Sequence, residues 1–283
     1  MMFYQCTAGE KHVKNFEGQL AFISGAGSGI GRATAIALAS NGVRLAVSDI
    51  EAESAAETVE LIEKQGGVAQ AFTLDVSDPV QVEAIAVSVQ NQMGTPAILV
   101  NNAGISVGAY FIDSSLENWQ RIIGINLMGV IHCSRAFVPA MVASEKPGHI
   151  VNIASLLGYT GAKGVSAYCT TKFGVMGFSE SLRAEMAQYQ IGVSAICPGI
   201  VRTNIINSGI LESREDEADE IRETIEAFYE RRNYPPERVA KAIIGAIRRN
   251  RAVVPVTPEA WLAYYLKRWT PGLVSWFAKR DLV

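Results

Sequence analysis

The chain is poor in the residues that build metal and disulfide sites. It holds four cysteines and three histidines in 283 residues. Cys6, Cys133, Cys169 and Cys197 lie far apart with no C-x-x-C pair, which argues against both a zinc site and a disulfide framework and predicts reduced thiols. His12, His132 and His149 show no ligand spacing, so no metal is expected. An excess of positive charge is also missing. The 25 Lys and Arg against 28 Asp and Glu leave a formal charge of −3, which offers no broad cationic field to a nucleic acid. No uninterrupted apolar run reaches the roughly 18 residues that suggest a membrane-spanning helix. Residues 1–16 mix polar, charged and aromatic side chains without the apolar stretch of a signal peptide. A cytoplasmic, non-spanning protein is the expectation. There is no internal repeat and no low-complexity linker to mark a domain boundary.

What the chain does have is apolar content, 49% of its residues. That is enough for a large core, and α/β folds of this length often form one domain. Short β-branched runs alternate with longer segments of helical period, the pattern of repeated βαβ units on a parallel sheet. Strands are expected at residues 20–24, 44–48, 68–74, 97–100, 149–153, 193–196 and 252–256. Most are apolar throughout, as strands covered on both faces must be. Helices are expected at 30–40, 53–64, 80–92, 118–142, 166–188 and 236–250. The fold class is therefore α/β: a single-domain Rossmann fold whose doubly wound, seven-stranded parallel sheet has helices on both faces. Residues 1–16 read as an extension and 17–256 as the catalytic domain. Within it, 204–233 read as a helical flap, charged first and then carrying Ile221, Ile225, Phe228 and Tyr229 at helical spacing. Residues 257–283 read as a helical tail, opened by Thr257-Pro258-Glu259 with a capping hydroxyl before a first-turn proline.

After the first strand comes Ser24-Gly25-Ala26-Gly27-Ser28-Gly29-Ile30-Gly31, and a helical pattern starts at once. Glycines let a backbone turn tightly and approach a pyrophosphate, whose charge then lies at the positive end of the helix. Asp49 ends the second strand, where such folds place an acidic residue on the adenosine ribose. A carboxylate there accepts from the ribose hydroxyls and repels a 2′-phosphate. Ser28 and Ile50 stand where a basic residue would serve NADP. Arg44 and Arg32 lie at the far end of the strand and within the helix. NAD is the expected cofactor.

Tyr168 and Lys172 are four apart on a predicted helix and so share a face. Ser155 lies thirteen residues earlier, just past a buried strand, at the carboxyl end of the sheet where ligands bind in such folds. Hydride transfer from an alcohol requires loss of the hydroxyl proton, and a free tyrosine, with a pKa near about 10, is mostly protonated at neutral pH. A neighbouring ammonium favours the phenolate.

These residues resemble a known family, the short-chain dehydrogenases/reductases in their compact single-domain branch. The likeness runs motif by motif over about residues 17–205 and more loosely to 256. The glycine loop matches Thr-Gly-x-x-x-Gly-x-Gly, with Ser24 in place of the threonine. Asp75-Val76 resembles the adenine-contacting pair, and Asn101-Asn102-Ala103-Gly104 the Asn-Asn-Ala-Gly motif. Asn126 falls at the family's helix-kink asparagine. Ser155, Tyr168 and Lys172 match the catalytic set, and Pro198-Gly199-Ile200-Val201-Arg202-Thr203 matches Pro-Gly-x-Val-x-Thr. The resemblance implies that Tyr168 is the acid/base, that Ser155 holds the substrate oxygen, and that Lys172 also bonds the nicotinamide ribose. It further implies that Asn126 positions a proton-relaying water, and that the chain forms a homodimer or homotetramer.

The substrate is expected to be a hydrophobic secondary alcohol or ketone, walled by Leu156, Leu157, Tyr159, Ile200, Ile205 and Ile206. Flap residues could close over it. A 3-oxoacyl-thioester reductase using NADPH and a non-catalytic dinucleotide sensor are the alternatives. Trp261, Tyr264, Tyr265, Trp269, Trp276 and Phe277, interspersed with Lys267, Arg268, Lys279 and Arg280, make the tail aromatic and basic. Such a stripe packs on its own protein or on a neighbouring subunit, the preferred reading, or lies on a membrane surface.

Overall fold

The computed structural model describes residues 13, 15–203, 210–211 and 232–277. Seven parallel strands form one sheet: β1 (Leu20–Ser24), β2 (Arg44–Asp49), β3 (Ala69–Thr73), β4 (Ile98–Asn101), β6 (Gly148–Ile153), β7 (Ile191–Cys197) and β9 (Val253–Pro255). Their order is β3-β2-β1-β4-β6-β7-β9, so the direction of winding reverses between β1 and β4. A crevice opens outside the carboxyl ends of the strands at such a reversal, and that is where doubly wound sheets bind ligands. The register brings Ser24 beside Ser48 and Asn101 beside Asn152, so the strands end along one rim. A separate two-stranded parallel ribbon, β5 (Val107–Gly108) with β8 (Ile210–Leu211), was not foreseen. Its strands are two residues each, too short to show a period.

Among the described residues, six helices flank the main sheet, three on each face. Those labelled α1 (Gly29–Ala39), α2 (Ala52–Glu63) and α7 (Pro236–Arg249) cover one face, where Ala35, Leu38, Ala55, Ile62, Val239 and Ile243 pack on Ile23, Val47 and Ile98. On the other face α3 (Pro79–Met93), α5 (Gly129–Ala143) and α6 (Ser166–Met186) bring Val82, Val89, Phe137 and Met186 against Phe22, Leu99 and Ile150. Each such fully buried aliphatic or aromatic side chain contributes about 1.5–3 kcal/mol. Burial on both faces is the reason the strands are apolar without alternation. Helix starts are capped by side chains: Thr257, as expected, accepts from the N–H of Ala260, and Asp78 accepts from the N–H groups of Val80 and Gln81.

Two helical expectations need correction. The helix expected at 118–142 is α4 (Leu116–Ile123), a π-helical turn at Gly124–Met128, then α5. A π turn adds one residue per turn and re-aims the side chain within it, here the fully buried Asn126. By length and composition alone Leu116–Ala143 is apolar enough to cross a membrane; in the fold, Ile122, Cys133, Phe137 and Met141 turn into the protein's own core. The tail is two helices, α8 (Pro258–Trp269) and α9 (Pro271–Phe277), broken where Pro271 removes a backbone donor. The expected flap residues Ile221, Ile225, Phe228 and Tyr229, and the wall residues Ile205 and Ile206, lie outside the described residues.

Candidate active site

The glycine loop between β1 and α1 is tight because its neighbours leave no room for side chains. Gly25 has φ +62° and would place a Cβ 2.7 Å from the Cα of Ala103. At Gly31 a Cβ would overlap the carbonyl oxygen of Gly25 and stand 2.5 Å from Asn102 Nδ2. Gly29, at φ +51°, faces the side chain of Thr203. Asn102 explains how this loop is held: its Nδ2 donates to the carbonyls of Ser24 at 3.0 Å and Gly25 at 2.7 Å. In return the hydroxyl of Ser24, standing where the family has threonine, accepts from the N–H groups of Asn102 at 3.1 Å and Ala103 at 3.2 Å. The two loops at the winding reversal are thus one unit. Ser28 and Ile30 flank Gly29 where α1 begins, with the helix's first N–H groups and positive end toward the crevice.

Asp49 ends β2 beside this loop. Its Oδ2 accepts from the N–H of Gly27 at 2.8 Å and its Oδ1 from that of Glu51 at 3.1 Å, while the neighbouring Ile50 is exposed. Arg32, the cation of α1, is drawn onto α2, where it donates to Thr58 Oγ1 at 3.0 Å, Ser54 O at 3.3 Å and Glu57 at 2.8 Å. At the end of β3, Asp75 Oδ1 takes both the N–H and the hydroxyl of Ser77, and Val76 is buried. The crevice therefore offers a cradle that only glycine backbone fits, a helix start whose N–H groups can donate to a pyrophosphate, and beside it the Asp49 carboxylate, an acceptor for ribose hydroxyls.

The side chains expected to carry the chemistry stand at the same rim. Ser155 follows β6, is mostly buried, and caps a single 3₁₀ turn, its Oγ accepting from Leu157 N–H at 3.1 Å. Tyr168 and Lys172 project from the first turns of α6, the ammonium 5.6 Å from the centre of the tyrosine ring. Lys172 Nζ donates to the carbonyl of Ile153 at 2.9 Å, the end of the strand that leads to Ser155. Burial pulls the pKa of Lys172 down to about 8. Asn126 is bonded on both sides to one backbone residue: its Oδ1 accepts from Ile105 N–H at 2.8 Å and its Nδ2 donates to Ile105 O at 2.9 Å. Its side chain fixes the segment after Gly104, where a Cβ would meet Asn126 Oδ1 at 3.2 Å and Lys172 Nζ at 3.7 Å.

The structure alters the expected substrate walls. Tyr159 turns away from the crevice: its hydroxyl donates to Ala260 O at 2.6 Å and its ring lies edge-on to Tyr264 at 5.5 Å, so it anchors α8. Leu156 and Leu157 remain at the rim beside Pro198, whose carbonyl accepts from Leu156 N–H at 2.8 Å. In place of Tyr159 the side chains around Tyr168 are Ile105, Val107, Trp119, Ile122 and Ile210, one apolar cluster. Ile105 directly follows the Asn-Asn-Ala-Gly motif and was within reach of sequence reasoning; Ile210 and Trp119 gave no local signal. Glu259 was missed as well. It accepts from Ile200 N–H at 3.2 Å and pairs with Arg232 at 2.6 Å, and with Thr257 it fills the space that any side chain at Gly199 would need. A groove of about 630 Å³ between α7 and the sheet edge, lined by Arg238, Lys241, Arg248 and Trp261 among others, contains none of these site residues.

A family model described as short chain dehydrogenase matches residues 19–212. The chain is 39% identical over 259 residues to "Probable oxidoreductase EphD" of Mycobacterium tuberculosis, a match covering 90% of this chain and 44% of that one. The chain thus spans less than half the length of that relative. Among solved structures, a short chain dehydrogenase/reductase from Burkholderia phymatum in complex with NAD superposes with a TM-score of 0.84 at 29% identity, covering 92% of this chain and 96% of the other. A metagenomic short-chain oxidoreductase in complex with NADP gives 0.68 at 28%, covering 85% and 98%. Sequence, sheet order and the interlocked loops at the winding reversal agree: this chain belongs to the short-chain dehydrogenase/reductase family of oxidoreductases, whose fold binds a nicotinamide dinucleotide.

Proposed function

We propose that the protein interconverts a hydrophobic secondary alcohol and its ketone with NAD(H), and that Tyr168 exchanges the hydroxyl proton. The observation that carries this reading is the placement of Tyr168 and Lys172 on one face of α6, 5.6 Å apart, at the rim that bears the glycine cradle and Ser155. The bound dinucleotide would supply hydride acceptance or donation at carbon. Residues Gly25, Gly27, Ser28, Gly29, Ile30 and Gly31 would hold its pyrophosphate, Asp49 and Ile50 its adenosine ribose, and Asp75 and Val76 its adenine. The nicotinamide half would lie among Asn102, Ala103, Gly104, Tyr168, Lys172, Pro198, Gly199, Ile200 and Thr203.

Around that group the chain's own residues have separable tasks. Tyr168 takes the proton in oxidation and returns it in reduction. Lys172, buried with its ammonium donating to the Ile153 carbonyl, keeps a positive charge near the phenol and favours its ionised form. Ser155 already accepts from Leu157 N–H, which leaves its hydroxyl proton to donate to the substrate oxygen. Asn126 holds the Gly104–Ile105 segment that walls the site, the support to which the relay expected of it would have to be added. The apolar cluster of Ile105, Val107, Trp119 and Ile122 beside Tyr168 supports a hydrophobic substrate. NAD is supported by Asp49 at the loop and by the tying of Arg32 to α2.

A panel of hydrophobic, sugar-like and small polar alcohols and ketones, followed by nicotinamide absorbance with each dinucleotide, tests the reading. Turnover is expected on hydrophobic members, with NAD(H) favoured, and Tyr168→Phe should lower it by about 10²–10⁴-fold while dinucleotide binding persists. Near wild-type turnover in that variant, or tight binding with no turnover on any member, would refute it.

A further inference from the structure

The groove of about 630 Å³ between α7 and the sheet edge at β9 is positively charged along its length. On α7, Arg238, Lys241, Gly245, Arg248 and Arg249 fall at helical spacing on the face that lines it, and Arg251, just past the helix, adds a fifth cation. Gly245 and Ala242, with Val254 and Val256 of the sheet edge, supply its uncharged lining. No Asp or Glu among the described residues lines the groove, and there Arg238, Lys241, Arg249 and Arg251 form no ion pair. The two nearest carboxylates in the sequence do not neutralise them: Glu237 is exposed on α7 outside the groove, and Glu259 is taken by Arg232. Residues 234–261, with both of those acids counted, are still +3 in a chain of net −3. Arg238 lies 5.3 Å from the ring centre of Tyr234, which positions its guanidinium without cancelling the charge. Arg248 is steadied 4.9 Å from the ring centre of Phe16 and donates to Asn41 Oδ1 at 2.7 Å.

We propose that this groove binds a small molecule carrying several phosphates, of the nucleoside polyphosphate class, at a site separate from the dinucleotide crevice. Charge sets the ligand class. Five cations around one concavity, with no carboxylate in it, suit a polyanion, and guanidinium groups match phosphate oxygens in pairs. Shape sets the size: the volume falls within the roughly 300–1,000 Å³ of small-molecule sites. The row from Arg238 to Arg248 rises about 15 Å along α7, too far for one phosphate to engage both ends. Trp261, which also lines the groove, offers an aromatic surface to a base. A second copy of the chain is the weaker occupant, because a two-fold contact would set this row of cations against itself with no carboxylate in the groove to pair it. None of the crevice residues lines the groove, so both sites can be filled together.

Calorimetry on the full chain in saturating NAD reads binding of ATP and of inorganic tripolyphosphate to the wild type, Gly245→Glu, Trp261→Leu and Lys64→Glu. A Cβ at Gly245 meets nothing within 4 Å, so Gly245→Glu sets a carboxylate in the groove without displacing a neighbour. Lys64, exposed beyond α2 and outside the groove, is the control. Circular dichroism and gel filtration establish the fold and association state of each variant. One site is expected for each ligand, with ATP bound about threefold or more tightly, and both weakened by added salt. Gly245→Glu should weaken both ligands about tenfold or more. Trp261→Leu should remove only the advantage of ATP, and Lys64→Glu should change neither. Failure of the wild type to bind either ligand, binding that Gly245→Glu leaves intact, or equal weakening by Lys64→Glu would overturn the proposal. Equal affinity for the two ligands would overturn the nucleoside part of it. A Gly245→Glu variant that dissociates an oligomer while the wild type binds neither ligand would instead give the groove to a second copy.

Discussion

The carboxylate of Glu259 reaches across 59 residues of sequence to the backbone N–H of Ile200, 3.2 Å away, while also holding Arg232 at 2.6 Å. One side chain in the first turn of α8 thereby fastens the Pro198–Gly199–Ile200 loop on one side and the start of the segment leading into α7 on the other. Burial pushes the Glu259 carboxyl up, but hydrogen bonds from Arg232, Thr257 and the backbone N–H groups of Glu259 and Ile200 outweigh it and hold the pKa below its ordinary 4.5.

Glu259→Gln preserves shape and removes the charge that orders this loop. Because the loop borders the substrate side, KM for the alcohol should rise, roughly three- to tenfold, with kcat little changed, since binding and not the chemical step loses support. The stability effect has a defined sign. A carboxylate whose folded pKa is depressed stabilises the fold above about pH 4.5, and this contribution is lost as pH falls through the folded value. The group is partly exposed, so solvent screening keeps the contribution small. Melting curves at neutral and acidic pH check it: the wild type should melt higher than the variant at neutrality, and the gap should close in acid.

Gly31→Ala tests the cradle. A methyl group there meets the Gly25 carbonyl and the Asn102 amide, both fixed by the Ser24–Asn102 interlock, so neither can yield cheaply. Overpacking of this kind costs about 1–3 kcal/mol. Dinucleotide affinity, read by quenching or by calorimetry, should fall about tenfold or more, and the melting temperature should drop. Gly177→Ala, where a Cβ meets nothing within 4 Å on α6, is the control: it should leave dinucleotide affinity unchanged and, by helix propensity, raise the melting temperature slightly and not lower it.

What could be read from the sequence divides by distance along the chain. Tyr168 and Lys172 are one helical turn apart, and the glycine loop lies between a strand and a helix it touches; their meaning is local. Most strands were visible because they are apolar on both faces, as in β6, buried at all six positions. Tyr159 shows the limit. An aromatic four residues after Ser155 looks like a pocket wall, and only its bond to Ala260, 101 residues on, reveals that it serves the tail. Glu259 was hidden for the same reason. The kink at Asn126 came from the family resemblance alone, since a single π turn of five residues is too short to show a period of its own.

Lys172→Met separates activity from stability. The ammonium is fully buried and its pKa falls from 10.5 to about 8, which means that at pH 7 the fold bears the strain of keeping it charged. A base with a depressed folded pKa makes the protein less stable below that value, and stability recovers as pH rises from about 8 towards 10.5, where the unfolded chain binds the extra proton. The variant should therefore lose turnover by about 10²-fold or more yet melt no lower than wild type at pH 7. On linkage alone the gain is on the order of 3 kcal/mol, reduced by the orphaned Ile153 carbonyl. Differential scanning calorimetry from pH 7 to 10 reads the outcome, and a variant that unfolds well below wild type would show that Lys172 is chiefly a structural brace.

Dinucleotide preference should be reversible through two carboxylates. Asp49 presents negative charge where a 2′-phosphate would lie on the proposed cofactor placement, and Asp49→Ser removes it while leaving a hydroxyl for the Gly27 backbone. Arg32 is the cation nearest in the loop's helix, but it is spent on Thr58, Ser54 and Glu57. Of these three contacts the pair with Glu57 is exposed and worth little, about 0–1 kcal/mol, so removing its charge loosens a guanidinium still held by Thr58 and Ser54 at small cost to the fold. Asp49→Ser should move the ratio of kcat/KM for NAD over NADP about 100-fold towards NADP, and Glu57→Gln added to it a few-fold further, because Arg32, no longer opposed by the Glu57 charge, then adds its positive field to the phosphate site. Glu57→Gln alone should do almost nothing, since Asp49 still repels the ligand. Initial rates with both dinucleotides across the four proteins decide it; a ratio unmoved by Asp49→Ser would remove the carboxylate from any part in cofactor choice.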